Sequence, residues 1–512
     1  MSLKGTKTKS SYISGISILG IPAEMYTYGT QFWMIIASEG FVSLAMAYAY
    51  LPVFYKLQIT SSYEPSYRHK FAYGDSSRLY RLHLLHYIGK KFLTVKGGLK
   101  AVVWTDTVQT IIMFGALVIV ICMGTASIGG FTEVWQRNLK GGRIDFFQLI
   151  FYANSNCSFF SFDWDPTIRH SFWTVTIGNF FSWMASCSIN QAMVQRCLAM
   201  PSLHSARITV AILVIGIMAL VSMCCYMGLV IFASYYKCDP VTRGAIHKSD
   251  QLLPYFVMQI AGSMPGLPGL FVSGVFSAAL SSMSTGLNSM TGVIFEDLIK
   301  PQMKKPLTES QASLLMKVIV VIIGSICVGL VFVVEKMGAA LIQASGSLGA
   351  ITAGPLLGIF SLGIFFPQAN SQGALAGGLI SGALITWISI GTQMKMAQGL
   401  IRFPQKPASV EGCNPHWVAE YLSLTLSPES TPKPVEPPFA LYRMSYMYYT
   451  ALGTVTAIVA GLIVSYLTGA NKGKKINTDL LSPVIHRFLD RKMKEINMNG
   501  NSDGKIEMDA IK

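Results

Sequence analysis

The chain has 512 residues, 51% hydrophobic and only 13% charged, with a formal net charge of +15 and a mean hydropathy of +0.45. Soluble domains average about 25% charged residues, so charge is kept out of most of this chain. That excludes a string of soluble domains and points to one bundle of membrane helices.

Apolar stretches of about twenty residues recur throughout, each matching a hydrocarbon core of about 30 Å. Residues 208–236, 337–394 and 444–470 contain no Lys, Arg, Asp or Glu. In lipid every backbone amide must be paired within its own segment, so these runs are predicted helices. Spans are predicted at 10–33, 34–55, 97–127, 171–197, 208–236, 268–298, 313–334, 337–365, 371–392 and 445–468. With the N-terminus placed in the cytoplasm, 27 of the 40 Lys and Arg residues lie on the inner side, as the positive-inside rule prefers. The basic excess therefore reads as topology, and no nucleic-acid partner is expected. Residues 1–9 run into the first apolar segment without a separate apolar core, so no cleavable signal is expected either.

The first span opens with Ser10-Ser11-Tyr12-Ile13-Ser14-Gly15, and Gly20-Ile21-Pro22 is predicted to break it. Pro22 removes an amide donor, and Gly15 and Gly20 relax the backbone. Broken helices persist at membrane depth only where freed carbonyls are buried in protein or line a cavity. Glu24, Glu39 and Asp106 are ionisable residues inside predicted spans, where such groups are rare and functional by default. Residues 63–96 hold no apolar run long enough to span and read as an interfacial helix or a cytoplasmic loop. The loop 128–170, predicted external, carries the glycosylation sequon Asn156-Cys157-Ser158.

Span 268–298 carries Ser277, Ser281, Ser282, Ser284, Thr285, Asn288 and Ser289. Adjacent hydroxyls together with carbonyls freed by a broken helix make an all-oxygen site of modest charge, suited to Na⁺. Of nine cysteines, Cys157, Cys238 and Cys413 fall in predicted external loops, which allows one disulfide with one thiol left over. The chain divides into a membrane core at 1–392 with a degenerate stretch at 63–96, a Pro-rich external loop at 393–444, a last helix at 445–468 and a polar cytoplasmic tail at 469–512.

Four motifs in order carry a resemblance: Gly20-Ile21-Pro22-Ala23-Glu24, the run from Gly97 to Asp106, the run from Asn190 to Arg196, and the serine cluster ending at Asn288-Ser289. Together they resemble the sodium/solute symporter family, in its multivitamin and monocarboxylate branch. The resemblance implies an all-α polytopic membrane protein with a core of two inverted five-helix repeats and additional C-terminal helices. It implies a sodium site on the carbonyls of Ser10, Ile13 and Ala278 and the hydroxyls of Ser281 and Ser282, with Asp106 on the sodium path. Where the family's sugar carriers have a sugar-binding Glu, this chain has Ile36, and their aromatic gate falls near Ser186, so a small organic anion is the expected substrate. Ser17, Trp183 and Ser186 are the expected lining, beside helix dipoles near Gly20 to Pro22.

The family places two further helices between the equivalents of Tyr63 and Gly97, so two core helices of the first repeat are missing here. Family-like sequence stops at Glu64 and resumes at Gly97. The expected activity is sodium-coupled symport of a vitamin-like or monocarboxylate anion across the plasma membrane, with Na⁺ as coupling ion and no other cofactor; the protein is not expected to be an enzyme. The alternative is a non-transporting truncated or splice variant of such a symporter.

Overall fold

The computed structural model describes residues 15–57, 98–146, 149–150, 159–160, 164–198, 200–262, 264–303, 307–335, 341–413, 439–469 and 480–486. Ser10, Ile13, Asn156, Cys157, the stretch 63–96 and most of the tail lie outside them. Among the described residues, eight helices are long and apolar enough to cross a membrane. Apart from one two-residue antiparallel pair, Leu149–Ile150 with Phe159–Phe160, the described regular structure is helical.

The helix α1 runs Gly15–Tyr28 and contains Pro22. The expected break at Gly20-Ile21-Pro22 is therefore not present: Pro22 withholds one bond from the Ile18 carbonyl, and the helix continues through it. It ends where Gly29 takes φ 93°, a left-handed conformation open to glycine. A second span, Thr30–Lys56, strings together a 3₁₀ turn, α2 (Ile35–Ala45), a π-turn at Met46–Tyr50 and α3 (Leu51–Leu57). Then come α4 (Gly98–Ile128) and the short α5 (Phe131–Lys140).

The predicted span 171–197 is interrupted. A π-turn at Thr174–Gly178 leads into α6 (Asn179–Met184), and a second π-turn follows at Ala185–Ile189. Asn190 is extended, at φ −64° and ψ 123°, before α7 (Gln191–Leu198) resumes. The remaining helices are α8 (Leu203–Ser234), α9 (Leu252–Ala261), α10 (Leu267–Val293), α11 (Glu309–Glu335), α12 (Leu341–Phe365), α13 (Ser371–Ala397) and α14 (Tyr449–Leu467).

Lipid removes the hydrophobic drive between helices, so close approach through small residues takes its place. On α13, a Cβ at Gly377 would fall 2.3 Å from the Ala457 carbonyl oxygen of α14, and one at Gly373 would fall 2.3 Å from that of Gly461. α1 is seated by the same device. A Cβ at Gly228 of α8 would lie 2.7 Å from the Pro22 carbonyl oxygen, and one at Gly20 would lie 2.5 Å from Ile342 of α12. α1 is thus wedged among α8, α10 and α12, with Ile18, Ile21 and Met25 buried.

At the end of the molecule that holds Tyr28, the segment after α13 is strapped across the helices. Cys413 is disulfide-bonded to Cys238, Lys406 pairs with Asp145 at 2.7 Å, and Arg143 donates to the Pro407 carbonyl at 3.1 Å. Burial pushes the Arg143 guanidinium down to about 10, opposed by Tyr26 and Asp239. A disulfide belongs to an oxidising compartment, which agrees with placing this end outside. Cys413→Ser is expected to lower stability by about 2–5 kcal/mol. It also exposes a thiol at Cys238 that a membrane-impermeant maleimide labels on intact cells. Labelling only after permeabilisation, for molecules that surface biotinylation shows to be at the cell surface, would reverse that orientation.

Candidate functional site

The start of α1 lies on the serine helix. A Cβ at Gly15 would be 3.5 Å from the Val275 carbonyl oxygen and 3.5 Å from the Ala279 Cβ. Gly15 follows directly on the segment that carries Ser10 and Ile13, so the chain enters α1 beside the turn of α10 that carries Ala278. Ala278 is buried and Ser282 half-buried, and Ser281 lies on the same helix. The structure therefore brings the α1 entry and the Val275–Ala279 turn together, while Ser10 and Ile13 fall outside the described residues.

Asp106 lies on α4, which also packs on α10: a Cβ at Gly274 would be 3.4 Å from the Met113 Cα. α4 rises toward the end of the bundle that holds Tyr28 and α10 descends from it. Ser281 follows Gly274 by seven residues and Asp106 precedes Met113 by seven, so at about 1.5 Å per residue both lie about 10 Å inward of that contact. Asp106 and the serine pair thus share one level of the bundle. The three expected lining residues are half-buried: Ser17 on α1, Trp183 on α6, and Ser186 in the following π-turn. π-turns inside helices concentrate at functional sites.

A second polar centre lies toward the external end of α1, and the sequence reading found only one of its members. Glu24 is 2% exposed and accepts from Arg169 twice, from Nη2 at 2.5 Å and from Nε at 3.3 Å. The remaining Arg169 nitrogen, Nη1, donates to the Gln343 side-chain carbonyl on α12. His170 Nε2 approaches Glu24 at 3.8 Å. Tyr28 and Tyr446 flank the guanidinium, with ring centroids 4.4 and 5.2 Å from its carbon, and Phe403 of the external strap lies at 5.3 Å. Arg169 and His170 stand just before a predicted span, and an Arg at that position with an unpaired Glu in another span was the signal available. Glu39, by contrast, is buried on α2 with neither carboxylate oxygen hydrogen-bonded.

Among the described residues no group of His, Cys, Asp and Glu has the arrangement to hold a transition metal. The described geometry places the α1 entry against the serine helix and a buried ion pair further along α1.

The profile of the sodium:solute symporter family matches residues 80–381. Sodium-coupled monocarboxylate transporter 2 of Mus musculus is 33% identical over 511 residues, covering 94% of this chain and 79% of that protein. The sodium-dependent multivitamin transporter of Oryctolagus cuniculus is 34% identical over 512 residues, covering 94% and 78%. Among solved structures, a Na⁺-coupled sialic acid symporter in a substrate-bound, outward-open state superposes with a TM-score of 0.62, covering 91% of this chain and 89% of that one at 20% identity, a likeness of fold. The chain belongs to the sodium:solute symporter family, and it is accordingly a multi-pass membrane transporter coupled to Na⁺ rather than an enzyme.

Proposed function

We propose that the chain carries a small organic anion, vitamin-like or a monocarboxylate, across the plasma membrane together with Na⁺ by alternating access. The observation that carries this reading is the seating of the α1 entry on the Val275–Ala279 turn of the serine helix. In this reading Na⁺ is held by the carbonyls of Ser10, Ile13 and Ala278 and by the hydroxyls of Ser281 and Ser282. These are hard oxygen ligands of low total charge, which bind the ion and let it go again. Asp106, level with the serine pair, lies on the path by which Na⁺ leaves toward the cytoplasm. Ser17, Trp183 and Ser186 line the substrate position, and the names of the similar monocarboxylate and multivitamin transporters support a carboxylate-bearing solute. Asn156 carries a glycan on the external side.

Ser282→Ala removes one hydroxyl ligand and is expected to abolish sodium-dependent uptake in oocytes or proteoliposomes, with the half-saturating Na⁺ concentration raised at least about tenfold wherever residual uptake is measurable. Unchanged uptake at unchanged sodium affinity would remove Ser282 from the site.

A second reading, a non-transporting truncated or splice variant, is favoured by one observation. Within the span Leu267–Gln302 an apolar 18-residue window is only 19% buried, and Asn288 on the same helix is exposed. A polar amide on a membrane helix calls for a protein or water neighbour, and two further helices of the first repeat would supply one. Sequencing the transcript across codons 55 to 100 separates the readings. An inserted coding stretch long enough for two spans supports the symporter. A transcript identical to this chain, with its product retained in the endoplasmic reticulum, supports the variant.

A further inference from the structure

We propose that the Glu24–Arg169 pair is an external exchange site for the two transported ions: arriving Na⁺ takes over Glu24, and the carboxylate of the solute takes over Arg169. The inference rests on the symport reading above and adds a subsite to it. Arg169 and Glu24 are 4% and 2% exposed, and they join the segment just before the span predicted at 171–197 to α1. Arg169 also bonds Gln343 of α12, and Phe403 of the strap stands over it. Four parts of the chain therefore converge on one guanidinium at the outer end of α1.

In this proposal the convergence comes apart as the solute passes toward Ser17, seven residues from Glu24 along α1. Separating a buried pair strands two opposite charges in a medium of low dielectric, at a cost of several kcal/mol per ion. The two species that the cycle brings carry the compensating charges: a cation for the carboxylate and a carboxylate for the guanidinium. Arg presents parallel N–H donors that match a carboxylate in two-point geometry, and Nη2 and Nε already hold Glu24 in that way.

Unused donors indicate which kind of ligand fits. The Tyr446 hydroxyl is buried with no hydrogen-bond partner, and neither His170 ring nitrogen makes a hydrogen bond. Tyr446 lies beside Arg169, and the His170 and Tyr446 rings are 6.5 Å apart. In either tautomer a neutral imidazole brings one N–H, and the phenol brings one O–H. Buried donors left unsatisfied at a charged centre are uncommon, and a carboxylate, which only accepts, would satisfy both while held by Arg169. A neutral amide of the same shape would leave the guanidinium charge unmatched.

The test uses the full chain in proteoliposomes with propionate and propionamide as competing probes of sodium-dependent uptake. Two variants avoid an unpaired buried charge: Tyr446→Phe, which removes only the unused hydroxyl, and the double variant Glu24→Gln/Arg169→Gln, which neutralises both partners. Tyr446→Phe is expected to weaken propionate affinity about tenfold with sodium affinity retained. The double variant is expected to lose the preference for propionate over propionamide and to raise the half-saturating concentrations of both Na⁺ and propionate. If both variants keep the parent's affinities and its preference for the anion, the exchange site is overturned and the symport reading stands. If the unmodified chain shows no sodium-dependent uptake of short carboxylates, the symport reading falls and the exchange site with it.

Discussion

Arg169→Gln alone is expected to destabilise the protein by about 3–5 kcal/mol, the loss that follows when one partner of a buried ion pair is removed and the other stays behind. Glu24 is 2% exposed and takes both of its short contacts from this one guanidinium. Gln343 would lose its donor at the same time. Glu24→Gln/Arg169→Gln is expected to regain most of the loss, because two neutral amides can hydrogen-bond each other where two charges stood. Arg169→Lys should fall between them: it keeps the charge, but a point-like ammonium cannot reproduce the two-point fork. Thermal unfolding of the purified protein in detergent, followed by tryptophan fluorescence, ranks the variants. If Arg169→Gln melts within a degree of the parent, the pair is solvated in the working protein and its burial is not a feature of the folded state.

The membrane helices were legible in the sequence because lipid imposes a composition on them that no tertiary contact overrides. Charge-free runs such as 208–236 and 444–470 fall on α8 and α14, with ends within five residues of the helix ends. The disulfide was half legible: three external cysteines left the pairing open, and the strap chose Cys238 and Cys413. The break in the first span was misplaced. Pro22 costs α1 one backbone bond, and α1 is held against α8 at Gly228, where packing keeps it helical. The break that the structure has in a described span, at Asn190, carries neither Pro nor Gly as a marker. The Glu24–Arg169 pair was hidden for another reason. Its members are separated by 145 positions, and which carboxylate meets which cation is decided by helix placement, which one sequence does not encode in any local pattern. The serine run of α10, by contrast, is contiguous and visible in the sequence whatever role its hydroxyls have.

Among the glycines that seat α1, Gly228→Ala is expected to be the most damaging single-methyl change. The added Cβ would stand 2.7 Å from the Pro22 carbonyl oxygen, 3.1 Å from the Pro22 Cα and 2.5 Å from the Met25 Cβ. Two of those atoms are backbone, so no side-chain rotation relieves the contact, and α1 must move away from α8. Overpacking of a tight core costs about 1–3 kcal/mol, and here the displaced element is the helix whose entry touches the serine turn. The change therefore couples stability to ion binding: the stabilisation that Na⁺ gives to the melting temperature should shrink along with the melting temperature itself. Gly324→Ala on α11 is the matched control, because nothing lies within 4 Å of its added Cβ. There the gain in helix propensity, about 1 kcal/mol at most, should leave the protein as stable as the parent or slightly more so. Melting curves of the two variants with and without Na⁺ distinguish a displaced α1 from a general intolerance of added bulk. If Gly228→Ala keeps the full sodium-dependent shift, the position of α1 on α8 does not control the sodium site.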